Sequence, residues 1–149
     1  MPKPVNPRRI AAPASHYSHG VLHSARARRL VISGQVGARI DGTVPESVAE
    51  QFDVAFDNLI AVLTEAGMVR TDLIKITAFC TVPESVVQFR KVRDRKLDGH
   101  APASTYLEVS GLASPAFKVE IEGEAVSEEP DLLFDDMSER MEEAVWNKK

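Results

Sequence analysis

A chain of 149 residues, 44% hydrophobic and 27% charged, has the size and apolar content of one globular domain with a modest core. A net charge of −4 and a pI near 5.6 argue against a dedicated nucleic-acid binder, and no apolar run approaches the roughly 20 residues of a membrane span. The single cysteine, Cys80, excludes an intrachain disulfide and a cysteine metal cluster; with no apolar signal core in the opening residues, a cytoplasmic protein without a membrane partner is expected.

The charge is unevenly spread. Residues 1–43 carry seven Lys/Arg against one acid, and residues 127–149 carry three against eight. The early arginines are scattered without aromatic interleaving, so they read as solvated surface or as an arm for another subunit's acidic tail.

Residues 1–15, with Pro at 2, 4, 7 and 13, are expected to be a flexible N-terminal arm. "HYSHGVLHS" and "RRLVISGQV" follow as two strands, the second ended by Gly34, and the reading joins them in a hairpin. From Pro45 to Ala66 apolar residues recur at helical spacing (Val48, Phe52, Ala55, Phe56, Leu59, Leu63), with Pro45 suited to the first turn and Gly67 to the stop. "TDLIKITAFCTV" returns to strand composition, and its cysteine reads as a buried structural thiol. "PESVVQFRKVRDRKL" is a second helix with Val86, Val87, Phe89, Val92 and Leu97 on its apolar side, ended by Asp98-Gly99. "ASTYLEV" and "FKVEIEGEAV" are the last strands.

The fold class is therefore α/β (α+β): a ββαβαββ mixed sheet with two helices on one face over residues 16–126. The other face would stay wet unless copies associate there. Residues 127–149 form an acidic tail with Phe134, Met137, Met141 and Val145 at helical spacing, read either as a docked amphipathic helix or as a disordered segment.

In the last strand Glu120, Glu122 and Glu124 alternate with Val119, Ile121 and Gly123, which puts the carboxylates on one face about 7 Å apart. Ser104, Tyr106 and Glu108 likewise share one face of theirs. His16, His19 and His23 lack ligand spacing, so no metal is expected. His100, just before "APAS", is a candidate for proton transfer.

Five phrases taken together, "HYSHG", "LVISGQVG", "AGMVRTDLIKITAF", "HAPASTYLEV" and "KVEIEGEAV", resemble the RidA (YjgF) reactive intermediate deaminase family in order and spacing. The resemblance implies a chorismate-mutase-like fold, a homotrimer with its sheets around a central barrel, and small-molecule clefts between subunits. It also implies imine or enamine hydrolysis without metal or cofactor. By the same resemblance Glu120 is the catalytic acid that activates water, and Tyr17, Ser33 and Gly34 line the cleft. Tyr106 narrows it.

The departure lies at Ser104. Deaminating members carry an arginine there that grips the substrate carboxylate. A neutral hydroxyl contributes about 0.5–1.5 kcal/mol, whereas losing a partly buried charged partner costs about 2–5 kcal/mol. Efficient 2-aminoacrylate deamination is not expected unless Arg28, Arg29, Arg93 or Arg95 has taken over. The readings left open are a hydrolase for a related electrophile, a non-catalytic binding or regulatory module, and, as a minor one, a ribonuclease or translation inhibitor.

Overall fold

The computed structural model describes residues 2–127, and within them the apolar periodicities become two helices and six strands. The strands are β1 (Lys3–Val5), β2 (Gly20–Leu22), β3 (Arg28–Val36), β4 (Leu73–Cys80), β5 (Ala103–Glu108) and β6 (Val119–Ser127). The helices are α1 (Val48–Glu65) and α2 (Val86–Leu97). From β2 onward the order is the expected ββαβαββ. The tail expectation falls, apart from Ser127, outside the described residues.

α1 forms because Phe52, Ala55, Phe56, Leu59 and Leu63 lie on one side and are all at most 1% exposed. Burying each of the larger ones stabilises the fold by about 1.5–3 kcal/mol. The helix starts at Val48, later than Pro45, because Ser47 caps it: its hydroxyl accepts the Glu50 N–H at 3.1 Å. The chain leaves α1 through Gly67 at φ +68°, which lets the Met68 N–H reach the Leu63 carbonyl at 2.9 Å.

α2 corrects part of the sequence reading. Val87 is 53% exposed, while Arg93 is buried at 2%. Phe89, Val92, Arg93 and Leu97 are the buried positions of this helix. Arg93 survives there by laying its guanidinium 5.4 Å from the Phe89 ring centroid and pairing with Asp94 at 2.8 Å.

The main sheet runs β3-β6-β4-β5, with β6 antiparallel to both neighbours and β4 parallel to β5. Ile32, Ile76, Ala78, Cys80, Val119, Ile121 and Ala125 belong to the core shared with the helices. Register places Glu120 beside Phe79, Glu122 beside Thr77 and Glu124 beside Lys75, on the opposite face. That face also shows Val31 at 66% and Leu107 at 45% exposure.

The N-terminal hairpin is a second correction. β2 pairs with β1, not with β3, in a separate two-stranded ribbon. Its fasteners are local: the His19 N–H donates to Asn6 Oδ1 and its ring Nε2 to the Ala11 carbonyl, both at 2.9 Å. The segment before β2 goes to the far edge of the main sheet, where Ser18 bridges Ala103 of β5.

Candidate functional site

β3 carries one residue more than β6 between Ile32↔Gly123 and Gln35↔Ile121, so the chain bulges at Ser33–Gly34. The bulge brings the Gly34 backbone under the Glu120 carboxylate. A β-carbon at residue 34 would lie 1.8 Å from Glu120 Oε1 and 2.6 Å from its Cδ. Only glycine leaves that space open. Glu120 is half-buried, flanked in register by Val36 and Phe79, and its carboxylate makes no hydrogen bond or ion pair among the described residues. A carboxylate so held has its lone pairs free for a water or a ligand. Ser33, exposed beside it, receives Gln35 Nε2 on its carbonyl at 3.0 Å and keeps its hydroxyl free among the described residues.

Tyr17, Ser104 and Tyr106 lie elsewhere. Ser104 pairs in register with Ile76 and Tyr106 with Ala78, both fully buried, so these side chains face the helices rather than the Glu120 face. The Tyr106 ring centroid is 5.3 Å from that of Phe89. Its hydroxyl is buried with no hydrogen-bond partner among the described residues. Burial, reinforced by the Cys80 thiol and Glu108, pushes the Tyr106 phenol far above the ordinary tyrosine range.

Tyr17 stands beside the start of β5. Ser18 holds it there, donating its N–H to the Pro102 carbonyl at 3.1 Å and its hydroxyl to the Ala101 carbonyl at 2.6 Å. Tyr17 itself meets His19 edge to face at 5.6 Å. One chain thus places the candidate residues in two groups at opposite edges of its sheet: Ser33, Gly34 and Glu120 towards β3, and Tyr17, Ser104 and Tyr106 towards β5. Three strand spacings, roughly 14 Å, separate the edges.

The four arginines singled out in the sequence are engaged. Arg28 donates to the Ala66 carbonyl at 3.0 Å, Arg29 pairs with Glu124 at 2.7 Å, and Arg95 pairs with Asp53. Arg93 is held by Asp94 and by a 3.4 Å contact with the Ser15 hydroxyl.

The histidines are also committed. His16 donates to the Gly99 carbonyl, His23 to that of Ser24 and His100 to that of Leu73, at 2.7–2.8 Å. Among the described residues no three His, Cys, Asp or Glu side chains are grouped to hold a metal ion, and no helix is long and apolar enough to cross a membrane.

Lys75 went unremarked in the sequence, although it interrupts the apolar alternation of "LIKITAFC". It stands on the same face as Glu120, near Glu122 and Glu124, and donates to the Thr105 hydroxyl. Gln51 was missed as well. Buried at 1%, it donates to the Pro45 and Ala116 carbonyls at 2.7 and 3.0 Å and accepts the Lys118 N–H at 2.8 Å. It ties the segment before β6 to α1.

Two helices on a mixed sheet, with an acid seated over a glycine bulge, define a YjgF/RidA-type α+β protein. The chain belongs to the endoribonuclease L-PSP family, whose model matches residues 8–127. It is 38% identical over 96 residues to the RutC family protein YjgH of Escherichia coli K12, covering 62% of this chain and 72% of that protein. Among solved structures it is similar to YyfB of Yersinia pestis, a Rid family protein of unknown function, with a TM-score of 0.77 and 25% identity over 85% of this chain and 98% of that one. TdcF of E. coli, solved with bound serine, matches with a TM-score of 0.63 and 26% identity over 84% and 98% of the two chains.

Proposed function

We propose that this protein binds a small metabolite between subunits and that Glu120 directs a water onto an electrophilic carbon, of the imine or enamine type, in the bound molecule. The supporting observation is the half-buried, unpaired Glu120 carboxylate over Gly34. In the reaction Glu120 takes a proton from the water as its oxygen bonds to the C=N carbon. The nitrogen gains a proton, and the resulting carbinolamine collapses to a carbonyl compound and ammonia.

The split of the site between sheet edges favours a head-to-tail assembly, in which the β5 edge of one copy meets the β3 side of the next. Such unlike-surface contacts close into a ring. A homotrimer in the cytoplasm is the form we assign, with Val31 and Leu107 covered by neighbours. Tyr17, Ser33 and Ser104 would then offer neutral hydrogen bonds around the ligand, and Tyr106 would wall the pocket behind Ser104. The serine seen in TdcF makes small amino-acid-derived molecules the first ligands to try. No cofactor enters this scheme.

Ammonia release from a panel of imines, compared between wild type and Glu120→Ala, tests it. Equal rates for the two proteins would remove Glu120 from the mechanism.

One observation favours a second reading, a binding or regulatory module without turnover. All four arginines that could serve as substitutes are occupied, and by the family resemblance Ser104 stands where deaminating members carry the anion-gripping arginine. Under that reading neutral metabolites raise the melting temperature while none is consumed. Ribonuclease action has less support, because the ring nitrogens that bond in His16, His19, His23 and His100 are held by backbone carbonyls.

A further inference from the structure

Neither strand of the β1–β2 ribbon pairs with the main sheet, and all three residues of β1 are exposed. Two strands alone are marginal in water, so this ribbon needs something packed on it. Register puts Lys3 opposite Leu22 and Val5 opposite Gly20, which places Lys3, Val5 and Leu22 on one face. That face is open: Leu22 is 64% exposed and Val5 43%. The turn after β1, with Arg8, Arg9 and Ile10 exposed, is fixed in place because Asn6 and Ala11 are both bonded to His19. Residues 2–27 hold Lys3, Arg8, Arg9 and Arg26 and no Asp or Glu. None of these four side chains makes an ion pair among the described residues.

The path of the chain points to the occupant. Ser18 bridges Ala103 at the start of β5, and Arg28 opens β3 beside Ser127, the last residue of β6. The segment joining these points, which includes β2, therefore crosses the end of the sheet at which β6 finishes. Six residues lead from Leu22 to Arg28, at most about 20 Å of chain, and Arg26 stands exposed among them. From Ser127 the sequence continues for 22 residues outside the described part. Such a length reaches about 70 Å extended and about 33 Å as a helix, enough to cover the ribbon in either form. Residues 128–149 carry eight acids against three Lys/Arg, with Phe134, Met137, Met141 and Val145 at helical spacing. An apolar stripe with excess negative charge is the complement of Val5, Leu22 and the unpaired cations. The head-to-tail ring proposed above uses the open face and the long edges of the sheet, and leaves this end to the tail.

We propose that residues 128–149 dock on the β1–β2 ribbon of their own chain, with the apolar stripe over Val5 and Leu22 and the acids towards Lys3, Arg8, Arg9 and Arg26. The occupant is the chain's own tail rather than a neighbour's because Ser127 stands opposite Arg28, six residues from Leu22. Docking buries the exposed apolar pair and brings opposite charges together at one site, an attraction that weakens as salt rises. The proposal does not depend on the Glu120 chemistry.

Trp146 is the single tryptophan of the chain and lies in this segment, so its fluorescence reports docking. In the full chain at low salt, acrylamide should quench Trp146 several-fold less efficiently than it quenches a synthetic peptide of residues 128–149. Arg8→Glu combined with Arg9→Glu should bring the quenching most of the way to the peptide value, and adding Asp135→Lys and Asp136→Lys should restore part of the protection. Leu22→Ser should loosen the tail with the charges unchanged. Carbodiimide coupling of Lys3 to tail carboxylates, mapped in protein co-refolded from isotopically light and heavy chains, should give unmixed pairs only. Peptide-like quenching of Trp146 in the wild-type chain overturns the proposal, as does the absence of any Lys3–tail pair. Protection that survives the arginine reversal would seat the tail elsewhere, and mixed light–heavy pairs would give the ribbon to a neighbour's tail; either result also overturns it. The quenching and coupling of the wild-type chain decide the matter even if a variant folds poorly.

Discussion

The substitution Gly34→Ala separates the site from the scaffold. The new methyl would land 1.8 Å from Glu120 Oε1 and within 2.7 Å of its Cγ and Cδ, so the two cannot coexist. The obstructing atoms are the end of a flexible side chain, not backbone, so Glu120 can rotate away at about 0.5–1.5 kcal/mol. Replacing glycine by alanine also narrows the unfolded ensemble and returns about 0.4–1 kcal/mol. The two effects nearly offset. Net stability should stay within about 1 kcal/mol of wild type, a melting shift of no more than about 5 °C for a domain this size. The carboxylate, by contrast, moves by more than the roughly 1 Å that costs a positioned group about 100-fold in rate. We therefore expect near-normal denaturation with ammonia release down about 100-fold, and loss of any thermal stabilisation by ligand that depends on Glu120. Full turnover in Gly34→Ala would refute the Glu120 seat. A destabilisation above about 3 kcal/mol would refute the claim that only a side chain must yield.

Other expectations follow from the same geometry. On the proposed shared cleft, co-refolding Glu120→Ala with Tyr17→Phe should regenerate intact sites at about a quarter of the interfaces in randomly mixed rings; activity no higher than that of either parent would exclude a shared cleft. Gln51→Leu leaves two carbonyls and one N–H without their partner, so chemical denaturation should show a loss of about 3–5 kcal/mol. Tyr106 keeps its proton in the folded chain above 10.0, the ordinary tyrosine value. Its stabilising contribution is complete below that pH and is lost as pH rises towards the folded value. In a Tyr17→Phe chain, phenolate absorbance should then appear above pH 10.0, together with unfolding; titration at the ordinary value with the fold intact would contradict the buried hydroxyl.

Much of this architecture is written locally. The helical spacing of Phe52, Phe56, Leu59 and Leu63 needs no partner to be read, since an apolar stripe on a helix has to be buried somewhere. Strict alternation in β6 assigns Glu120, Glu122 and Glu124 to one face, because the other residues of the strand are apolar or small. The Ser47 cap went unremarked in the sequence, and in the structure it outweighs Pro45 as the mark of the helix start.

β5 shows where local reading stops. Ser104, Tyr106 and Glu108 share a face by alternation, but Ser, Thr, Tyr, Leu and Glu do not declare which side is apolar. Register with Ile76 and Ala78 turned that face to the helices. Partner choice was hidden for the same reason: nothing within "HYSHGVLHS" says that Gly20–Leu22 will pair with Lys3–Val5, or that Ser18 will bridge Ala103. The engagement of the arginines, the three bonds of Gln51 and the Lys75–Thr105 contact depend on residues distant in the chain. The amino-acid order by itself determined most of the elements and the apolar faces of α1 and β6, because these follow from periods of two and 3.6 residues, while Gly34 and Glu120 were singled out as candidates by the family resemblance. Only the tertiary structure decided which faces meet and which charges are already paired, because those depend on distances between segments that no local pattern encodes.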